Sequence, residues 1–105
     1  MTTSARHILS LTFFEDSGHG WLAVHMAHLR ALGIEQKITG YSYRDGDIAY
    51  LEEDCDAALF QHAAALAERE LAIDHTYIDG LCFVRGLPRF RKLPRSAYRP
   101  LKKGW

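Results

Sequence analysis

The first third of the chain changes its spacing of apolar residues twice. Between His7 and Phe13 every second residue is apolar, which predicts a strand with one buried face. Turn-forming residues occupy positions 15–20, and the apolar run Trp21 to Val24 predicts a second, short strand. From Val24 or His25 to Leu32 the spacing becomes helical, and Gly33 is placed to end that helix in a left-handed conformation.

Two Asp-Gly pairs punctuate the remainder of the apolar pattern. Asp45-Gly46 joins strand-like runs at 36–44 and 47–53, which predicts a hairpin whose two turn positions both take positive φ. Asp79-Gly80 predicts a second turn, between strands at 73–78 and 81–84. Between the hairpins, Asp54 or Asp56 is placed to cap a helix that runs to about Glu70. Its buried stripe is predicted to comprise Leu59, Phe60, Ala63, Leu66 and Ala67.

These elements predict an α+β fold, a small antiparallel sheet built from hairpins with two helices packed on one face. Residues 1–86 form the single domain of this prediction. Prolines and arginines dominate after Gly86, so residues 87–105 are predicted to be a basic, extended C-terminal arm. A chain of 105 residues can bury a sufficient core without metals or disulfides, and Cys55 and Cys82 are expected to stay reduced.

Charge is strongly segregated along the chain, although the formal net charge is zero. All 13 acidic residues and five of the basic ones precede Arg85, whereas the last 21 residues carry eight basic residues and no acidic one. Such a tail favours an acidic or polyanionic partner, unless it folds back on its own acidic body or on a second copy. Its candidate partner-binding or nucleic-acid-binding residues are Arg85, Arg89, Phe90, Arg91, Lys92, Arg95, Tyr98, Arg99, Lys102 and Lys103.

The tail also interleaves these cations with aromatic side chains. Cations meet phosphates and aromatic faces stack on unpaired bases, so single-stranded nucleic acid is one candidate ligand. A second charged feature precedes the tail: an acidic patch of Asp45, Asp47, Glu52, Glu53, Asp54 and Asp56. Hairpin turn and helix cap account for most of these acids locally, and the functional alternative is a negative surface offered to a basic protein.

Metal and catalytic sites are weaker candidates. His19, His25 and His28 have spacing that a metal could use, with Cys55, Asp16 or Glu15 as a fourth ligand. The alternative is that His25 and His28 border the core with a satisfied ring nitrogen. Neither Cys55 nor Cys82 lies in a local signature of a nucleophile. The loop 16–20 could approach a phosphate through its backbone, but a plain connection is favoured. We therefore assign no catalytic residue, no metal and no cofactor.

Several short motifs resemble a family of small proteins of unknown function encoded by phages, prophages and plasmids. They are Gly18-His19-Gly20-Trp21-Leu22, Leu32-Gly33-Ile34, Lys37-Ile38, Tyr41-Ser42-Tyr43, Gly46-Asp47 and Ala49-Tyr50-Leu51-Glu52-Glu53-Asp54-Cys55-Asp56, with a weaker echo at Arg89-Phe90-Arg91 and Tyr98. The resemblance covers about residues 14 to 60. It implies an accessory protein of a mobile element and implies no particular reaction.

The sequence thus predicts a cytoplasmic protein that acts by binding. The start of the chain lacks the apolar run of a signal peptide, and no stretch is long enough to span a membrane, so we expect no membrane partner. The preferred partner is a host or phage protein, and an inhibitor of a defence or DNA-processing system, such as an anti-CRISPR, is one instance. The alternatives are nucleic-acid binding through the arm and, less favoured, a metal-dependent or cysteine enzyme. A homodimer is also open.

Overall fold

A five-stranded sheet with two helices on one face organises residues 8–91, the part of the chain that the computed structural model describes. The strands are β1 (Ile8–Glu15), β2 (Gly20–His25), β3 (Tyr43–Asp45), β4 (Ile48–Glu52) and β5 (Glu70–Tyr77). The helices are α1 (Met26–Ala31) and α2 (Asp56–Leu66), and short 3-10 helices occupy Glu35–Lys37 and Phe83–Gly86. The strand order across the sheet is β3-β4-β2-β1-β5.

The predicted α+β class is confirmed, but the sheet is mixed rather than wholly antiparallel. β5 lies parallel to β1, with Ile8 opposite Glu70 and Glu15 opposite Tyr77, whereas the other pairs are antiparallel. The predicted hairpin partner at 81–84 is not a strand. Gly80 does take a positive φ of 88°, but the chain then turns into the 3-10 helix Phe83–Gly86 and crosses the sheet face.

The first hairpin was predicted correctly in place and incorrectly in turn geometry. Tyr43 pairs with Tyr50 and Asp45 with Ile48, so the two-residue loop is Gly46-Asp47. Only Gly46 has a positive φ, of 58°. A turn with positive φ at its first central residue alone favours glycine there and accepts aspartate at the second position.

The helices follow their predictions with two differences in α2. For α1, the ring of His25 accepts a hydrogen bond from the Ala27 amide (3.0 Å), and Gly33 follows the helix with a φ of 70°. α2 ends at Leu66, because Glu68 adopts a φ of 57° and leads into β5. The last predicted stripe residues, Leu66 and Ala67, are therefore exposed, and 74% of Leu66 faces solvent.

Each face of the sheet carries its own core. Leu22, Val24 and Leu51 pack under the helices together with Phe60, all completely or almost completely buried. The opposite face holds a smaller core, which the sequence did not predict, made of Trp21, Tyr43, Cys82 and Val84. Residues 78–87 cover this second face, so both faces of the sheet are occupied at its β2 and β4 strands. Within residues 8–91 no helix is long and apolar enough to cross a membrane.

Candidate functional site

Asp16, the first residue after β1, anchors the segment that covers the second face. Its side chain is 1% exposed and forms a two-point pair with Arg85, at 2.7 Å to Nε and 2.8 Å to Nη2. The carboxylate also accepts hydrogen bonds from the backbone amides of Gly18, His19 and Cys82, at 2.9, 3.0 and 2.9 Å. The Arg85 guanidinium, followed by the Cys82 amide, holds the pKa of Asp16 far below its usual range, and the same pair raises the pKa of Arg85.

The loop 16–20 therefore has a structural role. The amides of Gly18 and His19, which a phosphate would need, already donate to Asp16. Gly18 is required for space, because a Cβ there would lie 2.9 Å from Nη2 of Arg85. Gly20 is still more constrained, since a Cβ there would lie 2.2 Å from the Phe13 ring. The glycines of this loop thus allow the Asp16–Arg85 pair and the close contact with β1.

Arginine side chains stack on the aromatic residues of the second face. The Arg85 guanidinium lies 5.2 Å from the Trp21 ring, and that of Arg89 lies 4.7 Å from the Tyr43 ring, both within the range of a cation–π contact. Nη1 of Arg89 also donates to the carbonyl of Gly40 at 3.2 Å. Both guanidinium groups are consequently held in place before any ligand arrives.

An open cleft of about 510 Å³ lies above these stacked side chains. Its walls come from β2, β4, the loop 39–42, the start of α2 and the segment 82–89. The lining residues are His19, Trp21, Tyr41, Tyr43, Glu52, Asp54, Cys55, Arg85 and Arg89. Tyr41 is 66% exposed, whereas Trp21 is 2% exposed and forms the floor. Donors, acceptors and aromatic surface thus meet in one concavity, which is the usual composition of a binding site.

A second buried carboxylate holds the wall that carries Tyr41. Oδ2 of Asp56 accepts hydrogen bonds from the amide and the hydroxyl of Thr39, at 3.0 and 2.8 Å, and from the hydroxyl of Ser42. Ser42 Oγ in turn accepts from the Glu52 amide at 3.0 Å. Asp56 was predicted as a helix cap or as part of an exposed patch. It is instead 1% exposed and ties α2, the loop and β4 together.

The chain matches no known protein-family model, no curated protein and no solved structure. The function must therefore be argued from the residues of the site. Glu52 and Asp54 of the predicted acidic patch line the same cleft as Arg85 and Arg89 of the predicted basic segment. The structure thus brings together two sets of residues that the sequence analysis treated as separate surfaces. Asp45 and Asp47 lie on the hairpin and are not among the residues that line this cleft.

The described start of the predicted arm packs against the domain. The Arg44 amide donates to the Pro88 carbonyl at 2.9 Å, and the Phe90 amide donates to the Ser42 carbonyl at 2.8 Å, so this segment runs beside β3. Phe90 is 4% exposed and belongs to the core under the helices. Arg91 ends the described part of the chain. The other candidates of the arm, Lys92, Arg95, Tyr98, Arg99, Lys102 and Lys103, lie outside the described residues.

The predicted metal ligands do not converge. His19 precedes β2 and His25 ends it, so the length of the strand separates them, and the rings of His25 and His28 are 6.3 Å apart. Burial, followed by the charge of His25, lowers the pKa of His28. Among residues 8–91 no cluster of three histidine, cysteine or acidic side chains is arranged to hold a metal ion. Cys55 is exposed at the cleft and Cys82 is buried, and both are free thiols.

Proposed function

We propose that this protein is a small accessory protein of a phage or another mobile element that acts by binding a macromolecular partner, with a protein preferred. The observation that carries the proposal is the cleft: aromatic walls, two arginines and two carboxylates in one concavity, fixed from below by Asp16 and Asp56. Preorganised aromatic and arginine side chains are the residues that dominate protein interfaces. The mobile-element part rests on the sequence resemblance.

The mixed charge of the cleft favours a protein over a polyanion. Glu52 and Asp54 would repel phosphates that approached Arg89, whereas a protein surface can offer both signs of charge in matching positions. The partner would then be a host or phage protein of defence or DNA processing, and inhibition of such a system, as an anti-CRISPR does, is the corresponding biological role.

Capture of partners from a lysate of the host bacterium tests the cleft directly. The double variant Tyr41→Ala/Arg89→Ala removes an exposed aromatic residue and a stacked cation, so we expect capture of the specific partner to fall at least ~10-fold. The matched control is Gln61→Ala/Glu68→Gln, at exposed positions on and just after α2, which should capture as the wild type does. Equal capture by both variants would contradict the proposal. A chain that ends at Arg91 tests the arm in the same assay, since an unchanged catch would exclude the arm as the binding element.

Nucleic-acid binding is a second candidate, favoured by one observation. Arg44, Arg89 and Arg91 line a shallow depression of about 570 Å³ beside β3, together with Gly46 and Pro88. Three arginines along one edge could follow a phosphate backbone. Phe90, however, is buried and is not placed to stack on a base.

Fluorescence anisotropy with a labelled oligothymidine at ~50 and ~200 mM salt tests this second candidate. If the arginine edge binds phosphates, affinity will fall steeply with salt, and Arg44→Ala/Arg91→Ala will reduce the salt slope by about 2, close to one for each lost contact. The control Lys37→Ala, at an exposed position on the first 3-10 helix, should leave the slope unchanged. No binding at ~50 mM salt removes the candidate.

A further inference from the structure

The cleft has an excess of negative charge once the pair beneath it is considered. Of its two arginines, Arg85 is neutralised by Asp16 through the two-point contact. Arg89 contacts a backbone carbonyl and the Tyr43 ring, so it remains as the cation of the cleft. Glu52 and Asp54 face it across the opening. Two carboxylates against one such cation leave room for one additional positive charge from a ligand.

Tyr41 supplies a flat surface beside these carboxylates. Its ring is 66% exposed although its backbone is fixed, because its amide donates to Thr39 Oγ1 at 3.2 Å and Thr39 is held by Asp56. A large exposed aromatic side chain on a fixed loop is positioned for stacking. A guanidinium group combines a planar face for such stacking with a fork of donors that matches a carboxylate.

The floor of the cleft contains a hydrogen-bond donor with no acceptor. Nε1 of Trp21 is buried and has no partner among the described residues. Buried polar groups are nearly always paired, so an orphan at a cleft marks a position where a ligand atom completes the site. Only side chains cover the indole, namely Arg85 at 5.2 Å and the His19 ring at 6.0 Å between centroids. Indole N–H is a donor only, so the missing group is an acceptor such as a peptide carbonyl.

We propose that the cleft recognises an arginine side chain on an extended segment of a protein partner, an inference that rests on the proposed binding function. The guanidinium stacks on Tyr41 and pairs with Glu52 and Asp54. A backbone carbonyl of the same segment accepts the hydrogen bond of Trp21 Nε1 after a small movement of the His19 ring. An anionic ligand is disfavoured, because it would place a third negative charge beside the two carboxylates.

Nuclear magnetic resonance titration of the 15N-labelled full chain tests this inference. The probe is the peptide acetyl-Ala-Arg-Ala-amide, and the matched probe carries citrulline, which has nearly the same shape and no charge. We expect the arginine peptide to bind with a Kd on the order of 1 mM, as befits a short segment, and at least ~10-fold more tightly than the citrulline peptide. The indole N–H signal of Trp21 should move downfield, and a Trp105→Phe variant identifies it.

Charge variants locate the site. Glu52→Gln/Asp54→Asn should weaken arginine-peptide binding at least ~10-fold, whereas the matched control Glu68→Gln/Asp79→Asn, at two exposed acids outside the cleft, should not. Equal shifts with the arginine and citrulline peptides would overturn the inference. So would shifts centred on Asp45 and Asp47 of the hairpin. A gain of more than ~10-fold on shortening the chain to Arg91 would assign the site to the chain's own basic segment and equally overturn it.

The two proposals fail in different ways. If partner capture depends on Tyr41 and Arg89 but the arginine peptide does not bind, the partner-binding function stands and the arginine ligand is wrong. If the peptide binds in the cleft but the cleft variants capture the partner normally, the arginine site is real and lies outside the interface.

Discussion

Asp16→Asn is expected to lower the midpoint of thermal unfolding by on the order of 10 °C, whereas Glu15→Gln, the same change one residue earlier, should change it by no more than about 2 °C. Asparagine keeps the shape of Asp16 but replaces one carboxylate oxygen with an amino group. If Oδ1 is kept, the donors Cys82 N and Arg85 Nε lose their acceptor. Loss of one partner of a buried pair is costly because it leaves the other uncompensated. Glu15, by comparison, makes only a long, exposed contact with His75 at 3.4 Å.

The acid limb of the stability curve gives a second measurement of the same pair. The pKa of Asp16 is depressed in the folded state, so the pair contributes its full stability above the unfolded pKa of about 4. Below that pH the unfolded chain takes up a proton that the folded chain does not, and the contribution is lost as the pH falls towards the folded pKa. We therefore expect the wild type to lose stability more steeply below about pH 4 than Asp16→Asn does.

Variants of Arg85 separate the pair from a general disturbance of the loop. Arg85→Met leaves the Asp16 carboxylate with three backbone donors, and it should destabilise less than the sum predicts when it is combined with Asp16→Asn. Hydrogen exchange of the Cys82 amide should accelerate in each single variant, because that amide donates to Asp16. Additive effects of the two substitutions, or equal melting of Asp16→Asn and Glu15→Gln, would show that the pair does not anchor residues 78–87.

Sequence reasoning succeeded where a short stretch of residues determines its own conformation. Alternation identified β1, Gly33 identified the end of α1, and Asp-Gly located the first hairpin. Each of these depends on neighbours within a few positions. The parallel pairing of β1 with β5 has no such local signal, since it joins residues about 60 positions apart. The α+β class was predictable, but the mixed sheet was not.

The second face of the sheet was missed because its determinants are far apart in sequence. Asp79-Gly80 resembles a hairpin turn, and the apolar residues that follow resemble a strand. The Cys82 amide, however, donates to the Asp16 carboxylate 66 positions earlier. A signal was present, because an aspartate directly after a strand and before Ser17-Gly18 is typical of a side chain that caps its own loop. A single arginine after the apolar residues 81–84 was the complementary signal.

The cleft could be predicted residue by residue but not as an arrangement. Net charge along the chain placed acids and bases in separate segments, yet Glu52 and Arg89 line the same concavity because residues 88–90 run beside β3. Phe90 explains this path: its ring is buried under the helices and draws an otherwise polar segment onto the domain. Charge counts cannot reveal such a path, because one buried aromatic side chain can outweigh several solvated cations.

Asp56→Ala is expected to reduce the free energy of unfolding by ~3 kcal/mol and to weaken partner binding at the same time. The substitution removes the acceptor of three hydrogen bonds and leaves the hydroxyl of Ser42, a fully buried residue, without its partner. It also removes a negative charge from the first turn of α2, where the helix dipole favours one. Chemical denaturation measures the loss, and Glu53→Ala, at an exposed position just before α2, should stay within ~0.5 kcal/mol of the wild type.

The coupling of stability to binding distinguishes Asp56 from an ordinary core residue. Asp56 holds Thr39, whose hydroxyl accepts from the Tyr41 amide, so loss of the carboxylate releases the loop that presents the exposed ring. Partner capture by Asp56→Ala should therefore fall even at a temperature where the variant is fully folded, whereas Phe60→Ala, at a buried position farther along α2, should bind normally under the same condition. Normal binding by folded Asp56→Ala would mean that Tyr41 keeps its position without this support, and the cleft would then be preorganised by β3 and β4 alone.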